Sequence, residues 1–227
     1  MDGVQVKILC LEDSLFYEKQ LLLHYKVEYP QFYSYKDQNI LNKINLFYKK
    51  KAWDVVRESV DVFFKIAVTY YVFSIKRDIP IRLFEIYYIP KVTYNENCTI
   101  SLYYDKYIYL GGAHGQTYRT SDTWDLNCGS RVTLCGLFAN SEFKMLDYLK
   151  KDVMEQIRQN AEKENFMYFD EYRKRVAEYF DENSFYLTPE GVIIYFQQYE
   201  IAPYASGIPE FLIPYTTGII EEPKCHK

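Results

Sequence analysis

His114 sits in the run Gly111-Gly112-Ala113-His114-Gly115 and is the only histidine in a turn-like setting, so it is the first residue to test as a general base or metal ligand. A metal centre needs three or four donors at workable spacing, and His24 and His226 lie far away in sequence with no accompanying carboxylate-histidine pattern. No metal ion and no cofactor is therefore expected. A nucleophilic serine on a strained elbow would announce itself as G-x-S-x-G, which does not occur. The glycines fit neither the G-x-x-x-x-G-K phosphate loop nor the dinucleotide G-x-G-x-x-G pattern. Backbone geometry accounts for them more simply, because glycine takes positive φ and lets two strands approach closely. Gly111, Gly112, His114 and Gly115 are read as a structural motif, the ring nitrogens bonding turn backbone, and no catalytic residue is assigned.

Asp122, Asp125, Glu200 and Glu210 could supply the paired carboxylates of a glycosidase, but that chemistry requires a set separation, and 31 acidic residues guarantee chance pairs. A hydrolase using His114 with a carboxylate is kept as a minority alternative to a non-enzymatic reading. The five cysteines are odd in number and lack C-x-x-C spacing, which points to free thiols. Cys225-His226 reads as an unstructured tail, and Lys49-Lys50-Lys51 as a solvated helix face. One segment resists a bland reading: Gln198-Tyr199-Glu200-Ile201-Ala202-Pro203-Tyr204-Ala205-Ser206-Gly207, a loop between strands that carries two tyrosines. Loops normally shed apolar bulk, whereas an ordered loop with tyrosines supplies rigid amphipathic contact area, as binding surfaces do. The alternative is that Tyr199 and Tyr204 fold back as a lid on the core.

The elements that must hold these residues follow from composition and period. With 25 Tyr and 15 Phe, the chain suits half-buried strands whose rings pack while their hydroxyls reach water. Val4 to Leu11 and Gln20 to Tyr29 read as an opening strand pair ending at Pro30. From Asp37, a fair N-cap, Leu41, Ile44, Tyr48, Ala52, Val55, Ser59, Phe63 and Ala67 recur along one face of a long helix. Arg82 to Tyr94 and Thr99 to Leu110 make a hairpin around Asn95-Glu96-Asn97. Gln116 to Leu126 and Arg131 to Leu134 make another around Asn127-Cys128-Gly129-Ser130. Ser141 can cap a helix with the stripe Leu146, Leu149, Val153 and Ile157, and a shorter helix carries Tyr172, Val176 and Tyr179. Phe185 to Leu187, Val192 to Phe196 and Phe211 to Tyr215 close the chain as strands. Without alternating β-α-β units, this predicts an α+β fold of antiparallel sheets built from hairpins, with one long helix in the N-terminal half and two in the C-terminal half. No glycine lies between Gly3 and Gly111, so residues 1–110 and 111–217 are taken as two halves packed as one unit, with 218–227 a tail.

A formal charge of −4 without a concentrated basic face excludes a nucleic-acid footprint. No stretch reaches the roughly 18 apolar residues of a membrane span. The N-terminus lacks the apolar core of a signal peptide, which leaves a cytoplasmic location open.

Taken as an ordered set, Gly111 to Gly115, Thr123-Trp124-Asp125-Leu126 with Gly129 and Leu134, Leu137-Phe138, Gln198 to Gly207 and Ile213-Pro214-Tyr215 resemble the C-terminal domain of RsiV- and PdaC-like bacterial proteins. Tyr29-Pro30-Gln31-Phe32 and Ile44-Asn45 resemble the domain that precedes it. In that family the paired domains are exported. RsiV is an anti-sigma factor whose outer part binds lysozyme through a loop filling the enzyme's sugar cleft, and PdaC carries this region beside a peptidoglycan deacetylase. The resemblance implies an extracellular or cell-surface binding module for lysozyme or another cell-wall-active protein, with Tyr199, Glu200, Pro203 and Tyr204 as the partner-binding residues. The runner-up partner is peptidoglycan itself, with Tyr199, Tyr204 and Trp124 stacking on sugars. This chain shows neither a sigma-binding segment nor a deacetylase domain, so neither activity is expected within it.

Overall fold

Alternation sets the first sheet. In β2 (Gln20–Tyr33), Leu23, Tyr25, Val27 and Tyr29 point to one face and are buried, while the residues between them stay partly exposed. β1 (Gln5–Tyr17) pairs antiparallel with β2 from Gln5 opposite Tyr33 to Tyr17 opposite Gln20. The computed structural model describes residues 3–138, 143–161, 167–215 and 219–225. The expected helix cap Ser141 and the tail residue His226 lie outside them.

β2 runs three residues past Pro30, where the sequence suggested an end. Proline lacks only a donor, and β2 pairs with β3 (Phe84–Glu96) over Leu23–Val27 alone, so at Pro30 no ladder bond is demanded on that side. That pairing is parallel, which corrects the expectation of hairpins only. A single β-α-β crossover joins the two strands, and the long helix is its connection.

The helix begins where Asp37 Oδ1 accepts from Asn39 N at 2.9 Å and Ile40 N at 3.3 Å. α1 (Gln38–Glu58) buries Leu41, Ile44, Tyr48, Ala52 and Val55, as its period predicted. A π-helical turn, Ser59–Phe63, follows, with Ser59 Oγ donating to Val55 O at 2.8 Å. The extra residue rotates the stripe, so α2 (Phe64–Arg77) buries only Ala67 and Ser74. Asn45 anchors α1 to β2: Phe32 N donates to Asn45 Oδ1 at 2.8 Å, and Asn45 Nδ2 donates to Phe32 O at 3.0 Å.

β3 turns at Asn97 and Cys98 into β4 (Thr99–Tyr109), then β5 (Gln116–Asp125) and the short β6 (Ser130–Arg131) complete a six-stranded order β1-β2-β3-β4-β5-β6. A three-stranded antiparallel sheet follows the helices α3 (Phe143–Ala161) and α4 (Tyr172–Tyr179). It comprises β7 (Phe185–Thr188), β8 (Gly191–Tyr195) and β9 (Glu210–Pro214), in that order. The architecture is α+β, antiparallel pairing dominating.

Two compact units arise, each drawing on more than one stretch of chain. One holds Val4–Pro90 and Tyr104–Tyr118; the other holds Gly3, Lys91–Tyr103 and the described part of Arg119–Lys227. The core of the second unit gathers Met145, Leu149, Val153 and Ile157 from α3 and Val176 from α4. They meet Phe185, Leu187, Val192, Ile194, Phe211 and Ile213 from the small sheet. A buried polar stitch crosses it: Ser101 Oγ lies 2.7 Å from Thr123 Oγ1 and accepts from Leu187 N at 2.9 Å.

The cysteines and the tail differ from expectation. Cys98 and Cys225 form a disulfide across a sequence separation of 127, with Cα atoms 5.0 Å apart, while Cys10, Cys128 and Cys135 are free thiols. The tail is therefore not loose at Cys225. Phe138 bridges Ile220, Glu221 N donates to Leu137 O at 2.9 Å, and Asn97 Nδ2 donates to Glu222 Oε1 at 3.1 Å. Cysteine count could not show this, because the two partners meet only once the Asn97–Cys98 turn and the chain end are folded together. Closing so long a loop removes denatured-state entropy, so Cys225→Ser should lower unfolding free energy by about 2–5 kcal/mol in denaturant titration. Wild-type protein in reductant should follow the variant's curve.

Candidate functional site

The stretch from Gln197 to Gly207 leaves β8 and returns to β9, and its sequence alternates anchors with exposed groups. Ile201 and Ala202 are buried to 0 and 1% exposure, so the middle of the loop is plugged into the core. Phe169 N donates to Ile201 O at 3.1 Å, Ser206 Oγ donates to Met167 O at 2.8 Å, and Arg175 Nη1 reaches Glu200 O at 3.2 Å. With its apolar pair inside, the loop turns its rings outward. Tyr199 is 44% exposed and Tyr204 half-buried, their centroids 5.9 Å apart with ring planes inclined by 32°. The loop is thus neither a free arm nor a lid whose rings are swallowed. Tyr199 also holds φ at 69°, a region that bulky residues seldom adopt, and the Glu200 N bond to Gln197 O at 3.2 Å spans that bend.

Gln197 sets the loop's position. Arg119 N donates to Gln197 Oε1 at 2.9 Å, and Gln197 Nε2 donates to Arg119 O at 2.8 Å, so one side-chain amide satisfies both polar groups of a β5 residue. The Arg119 side chain is buried beneath it. Its guanidinium lies 3.7 Å from the Tyr103 ring centroid and 5.8 Å from that of Tyr195, and it pairs with Glu210 of β9. Tyr186, beside Glu210, has its phenol pushed well above the usual range by burial first and by that carboxylate second.

Glu200 turns inward. Its Oε2 accepts from Gln197 N at 2.6 Å, yet burial raises its pKa above the usual carboxylate value; the Gln197 N–H pulls the other way and the charge of Asp181 adds to the rise. Asp181 belongs to an open cleft of about 590 Å³ lined by Thr133, Glu178, Tyr179, Phe180, Asp181 and Glu182. Three carboxylates line this cleft, and one of them is felt at the loop.

The remaining candidates sit elsewhere in function. His114 is exposed on its turn, Nδ1 lying 2.8 Å from Gly115 O. Glycine is required around it: Gly111 has φ of 80°, and a Cβ on Gly115 would fall 2.3 Å from the Tyr107 ring. Each surveyed carboxylate has a structural partner. Asp122 is buried against Arg131 at 2.8 Å, Asp125 accepts from Asn127 N at 2.7 Å, and Glu210 holds Arg119. Trp124 is 4% exposed under the Arg131 guanidinium, which removes it from any sugar-stacking surface. Among the described residues no cluster of three or more His, Cys, Asp or Glu could hold a metal ion.

Two family models match the chain. Residues 137–216 match the family described as a protein of unknown function, DUF3298, and residues 17–117 match the family described as deacetylase PdaC. Among solved structures, a DUF3298 family member from Bacteroides fragilis superposes with a TM-score of 0.71 at 18% identity, covering 97% of this chain and 95% of the other. A DUF3298 family protein from Pseudomonas aeruginosa gives 0.63 at 17% identity, with the same coverage. At such identity these neighbours speak for the fold. No functionally curated protein matches.

The DUF3298-matched segment contains the whole ring-bearing loop with Gln197, α3, α4 and the small sheet, whereas the PdaC-matched segment contains the Asn45 anchor and the whole Gly111–Gly115 turn. Sequence reading named Tyr199, Glu200, Pro203 and Tyr204 but missed Gln197, Arg119 and Asp181. The available signal was an uninterrupted Gln197-Gln198 directly after an apolar strand, where a buried amide is costly unless it is paired.

Two outcomes follow. Gln197→Ala should cost about 1–3 kcal/mol in chemical denaturation and open the 198–207 loop to limited proteolysis, because it leaves the Arg119 backbone unpaired. Glu200→Gln keeps the acceptor and removes the charge. A carboxyl whose folded pKa is raised binds its proton more tightly in the native state, so the wild type loses stability as pH rises from the ordinary carboxylate value through the raised one. The variant should therefore melt higher at pH 7, and the gap in melting temperature should close as pH falls through that window.

Proposed function

We propose that this chain is a non-catalytic binding module of the bacterial cell envelope that recognises lysozyme or another basic, cell-wall-active protein through the 198–207 loop. The carrying observation is the Tyr199–Tyr204 pair, presented outward by a loop whose centre is buried at Ile201 and Ala202. Rigid aromatic area of this kind binds at low entropic cost, and Tyr is enriched among residues that dominate interface energetics. The carboxylates of Glu178, Asp181 and Glu182 favour a basic partner and would speed its encounter. The Cys98–Cys225 bridge supports an oxidising compartment, as a cell-surface location requires. Pro203 stiffens the loop between the buried pair and Tyr204, while Glu200 acts by holding the bend at Gln197.

Calorimetric titration of lysozyme into the whole chain should give saturable heat, and Tyr199→Ala with Tyr204→Ala should weaken it more than about tenfold without changing the melting temperature by more than a few degrees. Absence of heat above dilution for the wild type overturns lysozyme as the partner. Retention on purified peptidoglycan that survives the double variant would move the contact away from this loop.

A further inference from the structure

The outer edge of β1 ends the six-stranded order, and its 13 residues make it a long edge strand. Edges of that length are usually blunted by bulges, prolines or inward charges. Here the only register shift against β2 falls between Leu15 and Phe16, so Gln5 to Leu15 is a regular strand with one row of backbone donors and acceptors facing outward. Val6, Ile8 and Phe16 are exposed along it.

We propose that β1 pairs antiparallel with β1 of a second copy, about a twofold axis that passes beside Cys10. In a sheet continued through such an axis, opposed residues must share a face, and residues facing outward must meet residues facing outward. Both conditions restrict the register to pairs of equal parity. Of those registers, the one centred on Cys10 sets Lys7 of each copy opposite Asp13 of the other, giving two cross-strand ion pairs, and sets Leu9 opposite Leu11. Shifting the centre to Leu9 or Leu11 places apolar Leu11 or Leu15 opposite Lys7, and shifting it to Glu12 sets two carboxylates face to face.

A second feature fits the same register. Leu9 and the exposed Leu46 of α1 line an open recess of about 260 Å³ with Tyr29, Pro30, Asn45 and Lys49. The recess lies on the helix side of the sheet, because Leu9 pairs with the buried Tyr29. Leu11 of the second copy, opposite Leu9, is on that side and is the group to fill it.

Cys10 is an exposed free thiol and reports the geometry directly. Residues directly opposed in an antiparallel pair have Cα atoms about 4.5–5.5 Å apart, within disulfide range. Its thiol pKa is raised, by burial first and by Glu12 next, so cross-linking calls for an added oxidant. Two Cys10 thiols would lose two protons and pass two electrons to copper-phenanthroline, leaving one interchain S–S bond.

The test uses the full chain with Cys128→Ser and Cys135→Ser, so that Cys10 is the one free thiol. Light scattering after size exclusion at about 100 μM should give twice the chain mass, and oxidation should give a reducible covalent dimer that Cys10→Ser abolishes. Lys7→Asp alone and Asp13→Lys alone should each shift the protein to monomer, whereas the double exchange should restore both dimer and cross-link. A monomer at that concentration overturns the proposal, as does a dimer that gives no Cys10 cross-link or is indifferent to both single charge changes.

Discussion

A strand residue turns its one N–H and its one C=O toward the same side, and Arg119 has both completed by the amide of Gln197. An amide is the one side-chain group that can offer a carbonyl and an N–H side by side, which is why glutamine and not glutamate stands there. Gln197, two residues past the end of β8, is thereby locked to β5, and from that fixed point the chain enters the bend at Tyr199 and the plug at Ile201 and Ala202. Asn45 does the same for Phe32 in the other unit, with two bonds of similar length. Each unit thus uses a single amide in place of a missing strand.

The buried guanidinium of Arg119 would be a liability on its own, since an unpaired charge there carries several kcal/mol of desolvation cost. It is tolerated because the Tyr103 face offers its negative quadrupole at 3.7 Å and Glu210 supplies the countercharge. Both neighbours of the ring-bearing loop, β8 before it and β9 after it, are tied to this one cation through Tyr195 and Glu210. Loop position and core electrostatics are therefore a single arrangement, and Glu200, which takes a raised pKa beside it, is a structural acceptor for Gln197 N as much as a surface group.

Much of this was legible in the residues. The stripe from Leu41 to Ala67 and the Asp37 cap gave the long helix, because both are local and periodic; turn chemistry placed the two hairpins but not their bounds, since the first turn falls at Asn97 and Cys98 and the strand expected over Arg131 to Leu134 is only Ser130–Arg131. The π turn at Ser59 was hidden, since the stripe keeps its three-or-four spacing straight through it. The parallel pairing of Leu23–Val27 with Phe84–Tyr88 was hidden too, because alternation says which face a strand buries and nothing about which strand it meets. At the site, the ring-bearing loop stood out by composition. Its supports did not, because Arg119, Gln197 and Asp181 come from three separate stretches, and a lone polar residue in sequence carries no mark of burial. Trp124 shows the converse limit: a ring suited to sugars by type is closed off by Arg131.

The bridge between Cys98 and Cys225 encloses β4, β5, all the later helices and the small sheet within one covalent ring. A protease that cuts once anywhere inside that ring, including the 198–207 loop, opens it without releasing a fragment. The nicked protein would keep its mass on a non-reducing gel and its folded contacts in solution, and only a thiol would separate the pieces.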